Sequence, residues 1–395
     1  MTLSVRSLPL RKNGAGVQSL LERAQGAVAA ARANADAVDR DARFPFEAFD
    51  ALREARLLGI AVPAEFGGEG VGLDEVASLC AALGEACGST GLIYAMHTVK
   101  IACLSGHHGG SPWQTALLAE IAQRQLLVAS STTEGARGGD VRSSEAPVEA
   151  VDGRIRLERK ATVISYIEHA DALVTTARRA SDAATSDQVL LALRKRDYTL
   201  EPLLGWDTFG MRGTCSKGFL LRVDAEPAQI VPEDYAKIHV ESMVPAAHLL
   251  WSAVWLGIAT ESYRRARAFV RQAARASGGK MPPAAQHLSR ARVSLETMRG
   301  VLRSGAATIT TPGAVSRDAL PITLLKVQAS ELAVQTVLAA MRTCGLSGYR
   351  NDTEFSIGRM LRDVLSSPIM INNDRILANA EPTLLVGEAP SSALE

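Results

Sequence analysis

VDGRIRL, residues 151–157, reads as a tight β-hairpin, with Asp152-Gly153 where the turn needs residues that tolerate positive φ. Working outward, short β-type runs follow at 172–176 (ALVTT), 189–193 (VLLAL) and 218–223 (GFLLRV), with the polar surface loop SDAATSD (181–187) between two of them. The composition changes near Leu126, so residues 127–236 are expected to form a small antiparallel sheet domain or barrel.

On either side the pattern is helical. In the N-terminal block, 1–126, Phe46, Phe49, Leu52 and Ala55 recur at a three-residue step along one helical face. Arg56 falls in the last turn and Gly59 reads as the stop. AVPAEFGGEGVG (61–72) must be a loop, and a small-residue helix follows it over about 73–87. In the C-terminal block, 237–395, Trp251, Val254, Trp255, Ile258, Ser262, Phe269 and Ala273 follow a 3.6-residue period. Two more long helices, ARVSLETMRGVLRSGAA and ITLLKVQASELAVQTVLAAMRTCG, complete a helical bundle, the last closed by Gly345. The expected class is α+β: helical domain, middle β domain, helical bundle.

The 395 residues are 47% hydrophobic and 22% charged, with 43 basic against 42 acidic side chains and a net charge of +1. That balance gives no global pull toward nucleic acid or an anionic membrane. The five cysteines are scattered and none forms a CxxC pair, which argues for reduced thiols and against a zinc site. No signal-type run opens the chain, so a cytoplasmic protein is expected.

Four strings in order give the chain a family resemblance. LLGIAVPAEFGGEGVGLDEVASLCAALGEACGSTGLIYAMH (57–97), STTEGARGGDV (131–141), WDTFGMRGTCSKGFLLRVDAEPAQIV (206–231) and CGLSGYRNDTEFSIGRMLRDV (344–364) are similar to segments of the acyl-CoA dehydrogenase family. The resemblance implies FAD as cofactor, an acyl thioester on CoA or a carrier protein (or another small molecule) as substrate, and a homo-oligomer, dimer or tetramer, with the cofactor between subunits. Thr133 would hydrogen-bond the isoalloxazine and Gly138 would line its edge. Ser165 is the remaining hydroxyl where the family packs a tryptophan and a threonine. Arg342, in RTCG, stands where the family has a glutamine touching the dinucleotide, and Gly345 follows in the same passage. Asn372 and Asn373 stand in the place of the family's Gly-Thr, and the R-x-x-F-G pyrophosphate passage is reduced to RQAARASGGK, with Arg271 and Arg275 nearby.

The family's base is a glutamate just before Gly-Thr, within reach of the substrate's α proton. Setting RDVLSSPIMINNDRIL against that pattern puts Ile371 there. Other members carry the glutamate ten residues before the glycine of a segment like LGIA, and counting back from Gly257 gives Ala247. Asp374, Glu241 and His248 are the nearby ionisable groups. His97 is expected to pack, and His107-His108 to form a surface turn. The open readings are an acyl-thioester dehydrogenase with a relocated base, a flavin-dependent monooxygenase on the same fold, and a non-catalytic member.

Overall fold

The computed structural model describes residues 14–134 and 141–386. Six helices come first: α1 (Gly14–Arg23), α2 (Gln25–Arg40), α3 (Phe46–Glu54), α4 (Leu73–Ala86), α5 (Gly88–His107) and α6 (Pro112–Arg124). Phe49 and Leu52 on α3 are fully buried, each contributing about 1.5–3 kcal/mol. Phe46, on the same stripe, is half exposed and stacks edge-on against Phe44 and His169. The helix ends one turn earlier than expected. Arg56 itself takes the left-handed conformation, at φ 55°, and holds the carbonyl of Ala122. Gly59 serves packing instead: a Cβ there would come within 2.7 Å of the Ala122 backbone.

Among the described residues the middle domain has seven strands in two sheets. Sheet one orders β1 (Val128–Ser131), β4 (Ala172–Arg178) and β5 (Gln188–Arg194); sheet two orders β2 (Glu149–Val151), β3 (Arg154–Ala161), β7 (Gly218–Ala225) and β6 (Tyr198–Leu204). The hairpin at 151–154 is as expected, with Asp152 and Gly153 at φ 52° and 75°. The all-antiparallel expectation fails at one place: β1 runs parallel to β4. The chain leaves β1 for the distant second sheet and returns, and such a crossover permits a parallel neighbour.

The C-terminal block opens with α7 (Tyr235–Ile238), which runs through a π-helical turn, His239–Met243, into α8 (Val244–Ala276). Then come α9 (Ala285–Thr310), α10 (Ala314–Arg317), α11 (Leu320–Cys344), α12 (Leu346–Tyr349), α13 (Gly358–Val364) and α14 (Asn373–Val386). The apolar stretch of the long 235–276 helix is mostly buried, so its hydropathy serves the core. Glycines let α8 lie against α4: a Cβ on Gly257 would sit 2.1 Å from the carbonyl of Ala81. Asp363 on α13 locks the middle domain to the bundle by accepting the Met211 N–H at 2.7 Å. Burial pushes its carboxyl up to about 6.

Candidate active site

A cavity of about 960 Å³ opens where the three blocks meet. That is near the top of the roughly 300–1,000 Å³ usual for ligand pockets. Helix α5 supplies Leu92, Met96, Val99 and Lys100 to one wall. The π-turn and the start of α8 supply His239, Val240, Met243, Val244, Ala247, His248 and Trp251. A π-turn carries one extra residue, which re-aims the side chains around it, and such turns cluster at functional sites.

Facing this mostly apolar wall is a ledge of hydroxyls from the middle domain: Thr132, Thr133, Thr162, Ser165, Thr214 and Ser216. Ser216 Oγ donates to Ser165 Oγ at 2.8 Å, and Thr214 Oγ1 lies 2.7 Å from Ser216 and donates to the Met211 carbonyl. With Ser216 donating to it, Ser165 keeps its own proton for a ligand; with the proton chain reversed, it offers lone pairs. Thr133 Oγ1 lines the same cavity and has no partner among the described residues. Across the cavity the Trp251 indole N–H also goes unpaired. A flat ring system with an apolar body and an edge of alternating donors and acceptors suits these two faces, so the residues present fit an isoalloxazine.

The two positions that the resemblance assigns to the family's base, 371 and 247, carry alkyl side chains. Ile371 and Ala247 both line the cavity. Ile371 and Asn372 sit at φ 58° and 46°. A β-branched residue in the left-handed region is unusual and costs roughly 1–2 kcal/mol. Two acidic residues stand on the described lining, Glu134 and Asp318. Glu134 is buried, accepts from Ser144 Oγ at 2.6 Å and from the Glu145 N–H at 2.8 Å, and has Arg159 3.6 Å away. Asp318 is exposed and accepts the Leu320 N–H at 2.9 Å, at the start of α11. His248 Nδ1 is 2.8 Å from the Ile322 carbonyl, which can only accept, so Nδ1 carries the proton. Burial lowers this ring's pKa to about 4, leaving a neutral imidazole with Nε2 as acceptor.

The structure brings Thr133 and Ser165 together at the cavity, while Gly138 lies outside the described residues. Asn373 points elsewhere. Its Oδ1 accepts from Lys326 Nζ at 2.7 Å, and its Nδ2 donates to Ser330 Oγ at 3.0 Å and Glu331 Oε1 at 2.9 Å. It therefore pins the strained 366–372 segment to α11 and positions Ile371, rather than facing the cavity. Arg342 and Gly345 are exposed at the α11–α12 junction, off the cavity lining of this chain. His97 bridges the Leu58 carbonyl and the Val128 N–H, so both ring nitrogens are spent on structure. His108 accepts from the Gly110 N–H in the expected turn, whereas His107 is buried at the end of α5 with Nε2 2.8 Å from Ser242 Oγ. Sequence reasoning missed Lys100, hidden in the apolar α5, and the Glu134–Arg159 pair, which joins β3 to the segment after β1. The string MRGTCSK already held Thr214 and Ser216 and could have disclosed the ledge.

Models of the acyl-CoA dehydrogenase N-terminal domain and C-terminal domain match residues 18–124 and 245–378. The chain belongs to the acyl-CoA dehydrogenase family, whose members are flavin-dependent oxidoreductases. It is 23% identical to a probable acyl-CoA dehydrogenase, YngJ, of Bacillus subtilis strain 168, over 84% of this chain and 87% of that one. It is 25% identical to dibenzothiophene monooxygenase of Rhodococcus erythropolis, over 70% and 68%. FMN-bound TdsC from Paenibacillus sp. A11-2 superposes with a TM-score of 0.81 at 17% identity, covering 95% of this chain and 99% of that one.

Proposed function

We propose that this protein is a flavin-dependent monooxygenase acting on a small organic substrate. The observation that carries the reading is the pair of alkyl side chains, Ile371 and Ala247, at both places where the family keeps its base. An acyl-thioester dehydrogenase must remove an α proton, and neither side chain can take one. Oxygen transfer needs no such base. Bound in reduced form, the flavin supplies two electrons, so that one oxygen atom of O₂ enters the substrate and the other leaves as water. The chain's own contribution is positional: Thr133 and Ser165 hold the polar edge of the ring, and Leu92, Met96, Val99 and Trp251 keep water from the space beside it.

The flavin is FAD in this reading, its adenine half held between two copies of the chain. Arg342 and Gly345, exposed and off the cavity, are available for that contact, and a homo-oligomer follows. Chromatography of the extracted cofactor, together with the solution mass, separates FAD in a dimer or tetramer from FMN in a monomer.

His248 favours a second reading, an acyl-thioester dehydrogenase with a relocated base, because its neutral Nε2 stands next to Ala247 on the cavity wall. Anaerobic titration of the flavin-loaded protein with acyl-CoA and carrier-protein thioesters distinguishes the two. The monooxygenase reading expects no bleaching, and incorporation of label from ¹⁸O₂ when reduced flavin is supplied with substrate. Bleaching that disappears in His248→Gln would establish the second reading instead.

A further inference from the structure

Lys100 is 3% exposed, lines the cavity, and has one polar contact among the described residues: Nζ lies 3.8 Å from the sulfur of Met243. An ammonium has three donors, and a thioether is a weak acceptor. This one is also shared, since the Tyr235 hydroxyl donates to the same sulfur at 3.4 Å. The other residues that α5 gives to the cavity lining, Leu92, Met96 and Val99, are all apolar.

Among the described residues no counter-charge faces Lys100: burial and the Cys103 thiol are the influences on it. The π-turn presents His239, α8 presents His248, α7 presents Tyr235, and α5 itself places Cys103 one turn on. Glu241 of the π-turn is exposed and acts on His107. Glu134 is held by Ser144 and Arg159. A cation buried without a partner costs several kcal/mol. A protein that retains one on a cavity wall, where methionine or leucine would pack as well, has a use for it.

We infer that the cavity takes a substrate with an apolar body and a carboxylate or comparable anionic group, and that Lys100 Nζ holds that group. The anion supplies the acceptors and the charge that the fold withholds, while the aliphatic and thioether side chains receive the body. Burial lowers the pKa of the free lysine, so anion affinity falls as pH rises through that lowered value. The inference rests on the cavity being the substrate site of the proposed oxidoreductase. Its test reads binding without turnover, so it can fail independently of the reaction.

Trp206 and Trp251 line the cavity, so intrinsic fluorescence reports occupancy. The flavin-loaded protein is titrated with octanoate and with octanamide, its uncharged counterpart of equal length. Lys100→Met keeps an unbranched side chain one atom shorter and removes the charge. It is expected to weaken octanoate at least about tenfold, as loss of a hydrogen bond to a charged group does, and to leave octanamide within about twofold. Lys100→Arg should restore part of the octanoate affinity. Unchanged octanamide binding in Lys100→Met also certifies that the variant is folded. Equal weakening of both probes, no weakening of either, or no octanoate binding to the wild type at millimolar concentration would each overturn the inference. If octanoate depends on Lys100 while no flavin turnover is found, the anion site stands and the proposed reaction falls.

Discussion

Lys326 and Lys100 are both more than nine-tenths buried, yet the fold treats them differently. Lys326 Nζ donates to Asn373 Oδ1 at 2.7 Å, lies 5.7 Å from the centre of the Trp255 ring, and feels the charge of Glu331. Among the described residues Lys100 Nζ reaches only a thioether. The first lysine is part of the scaffold. With Ser330 and Glu331 it grips Asn373 and so fixes where the 366–372 segment carries Ile371. The second faces the cavity that this scaffold shapes. A buried cation with its acceptors in place stabilises structure, and one without them is poised for something that arrives from outside.

Asn373→Ala attacks the scaffold half of this comparison and should have the largest effect. It strips Lys326 of its acceptor, costing about 1–3 kcal/mol of unfolding free energy in denaturant melts, and it frees the segment that holds Ile371. A loss below the error of the melt would mean that the Asn373 network does not support the fold.

The pH dependence of stability sharpens the contrast. Burial lowers the pKa of Lys326 from 10.5 to about 8. Between those values the unfolded chain binds more protons than the folded one, so this group makes stability rise with pH across the window. The rise should shrink in Lys326→Met. Lys100→Met is expected to be neutral or stabilising, because it removes a buried polar group whose desolvation the described residues do not offset. Marked destabilisation by Lys100→Met would show that its role is structural.

Smaller effects are expected on the ligand side. Thr133→Ala should weaken flavin binding roughly three- to tenfold, the cost of one hydrogen bond, as measured by equilibrium titration. Equal affinity in wild type and variant would remove Thr133 from the site. Ile371→Ala should change flavin affinity least, within about twofold, because an alkyl group on the opposite wall makes no polar contact for the ring to lose.

Much of the fold could be read from particular residues. Asp152-Gly153 specified its turn because positive φ is a local demand that few residues meet. The strands at 172–178 and 188–194 were legible because their side chains are buried along almost the whole run. Strand β6 was missed: Leu203 and Leu204 on it are about half exposed, so no periodic signal marks it. The helix stop was assigned to Gly59 on propensity, whereas the chain turns at Arg56 and keeps Gly59 for contact with α6. At the site, Thr133, Ser165 and the alkyl group at 371 followed from motif positions. Asn373 kept its place in the chain, but its side chain turned to α11.

Local preference, periodicity and motif order are written along the chain, and they determined the helix–sheet–helix plan, the family and the absence of a carboxylate at 371. Which polar group meets which partner depends on residues far apart in sequence. Tertiary packing alone therefore decided that Lys326 finds Asn373, that Lys100 meets Met243, and that Ser165, Thr214 and Ser216, from two segments, join into one hydrogen-bonded chain. Desolvation sets the energy of each such encounter, and it exists only once the surrounding elements have closed around the group.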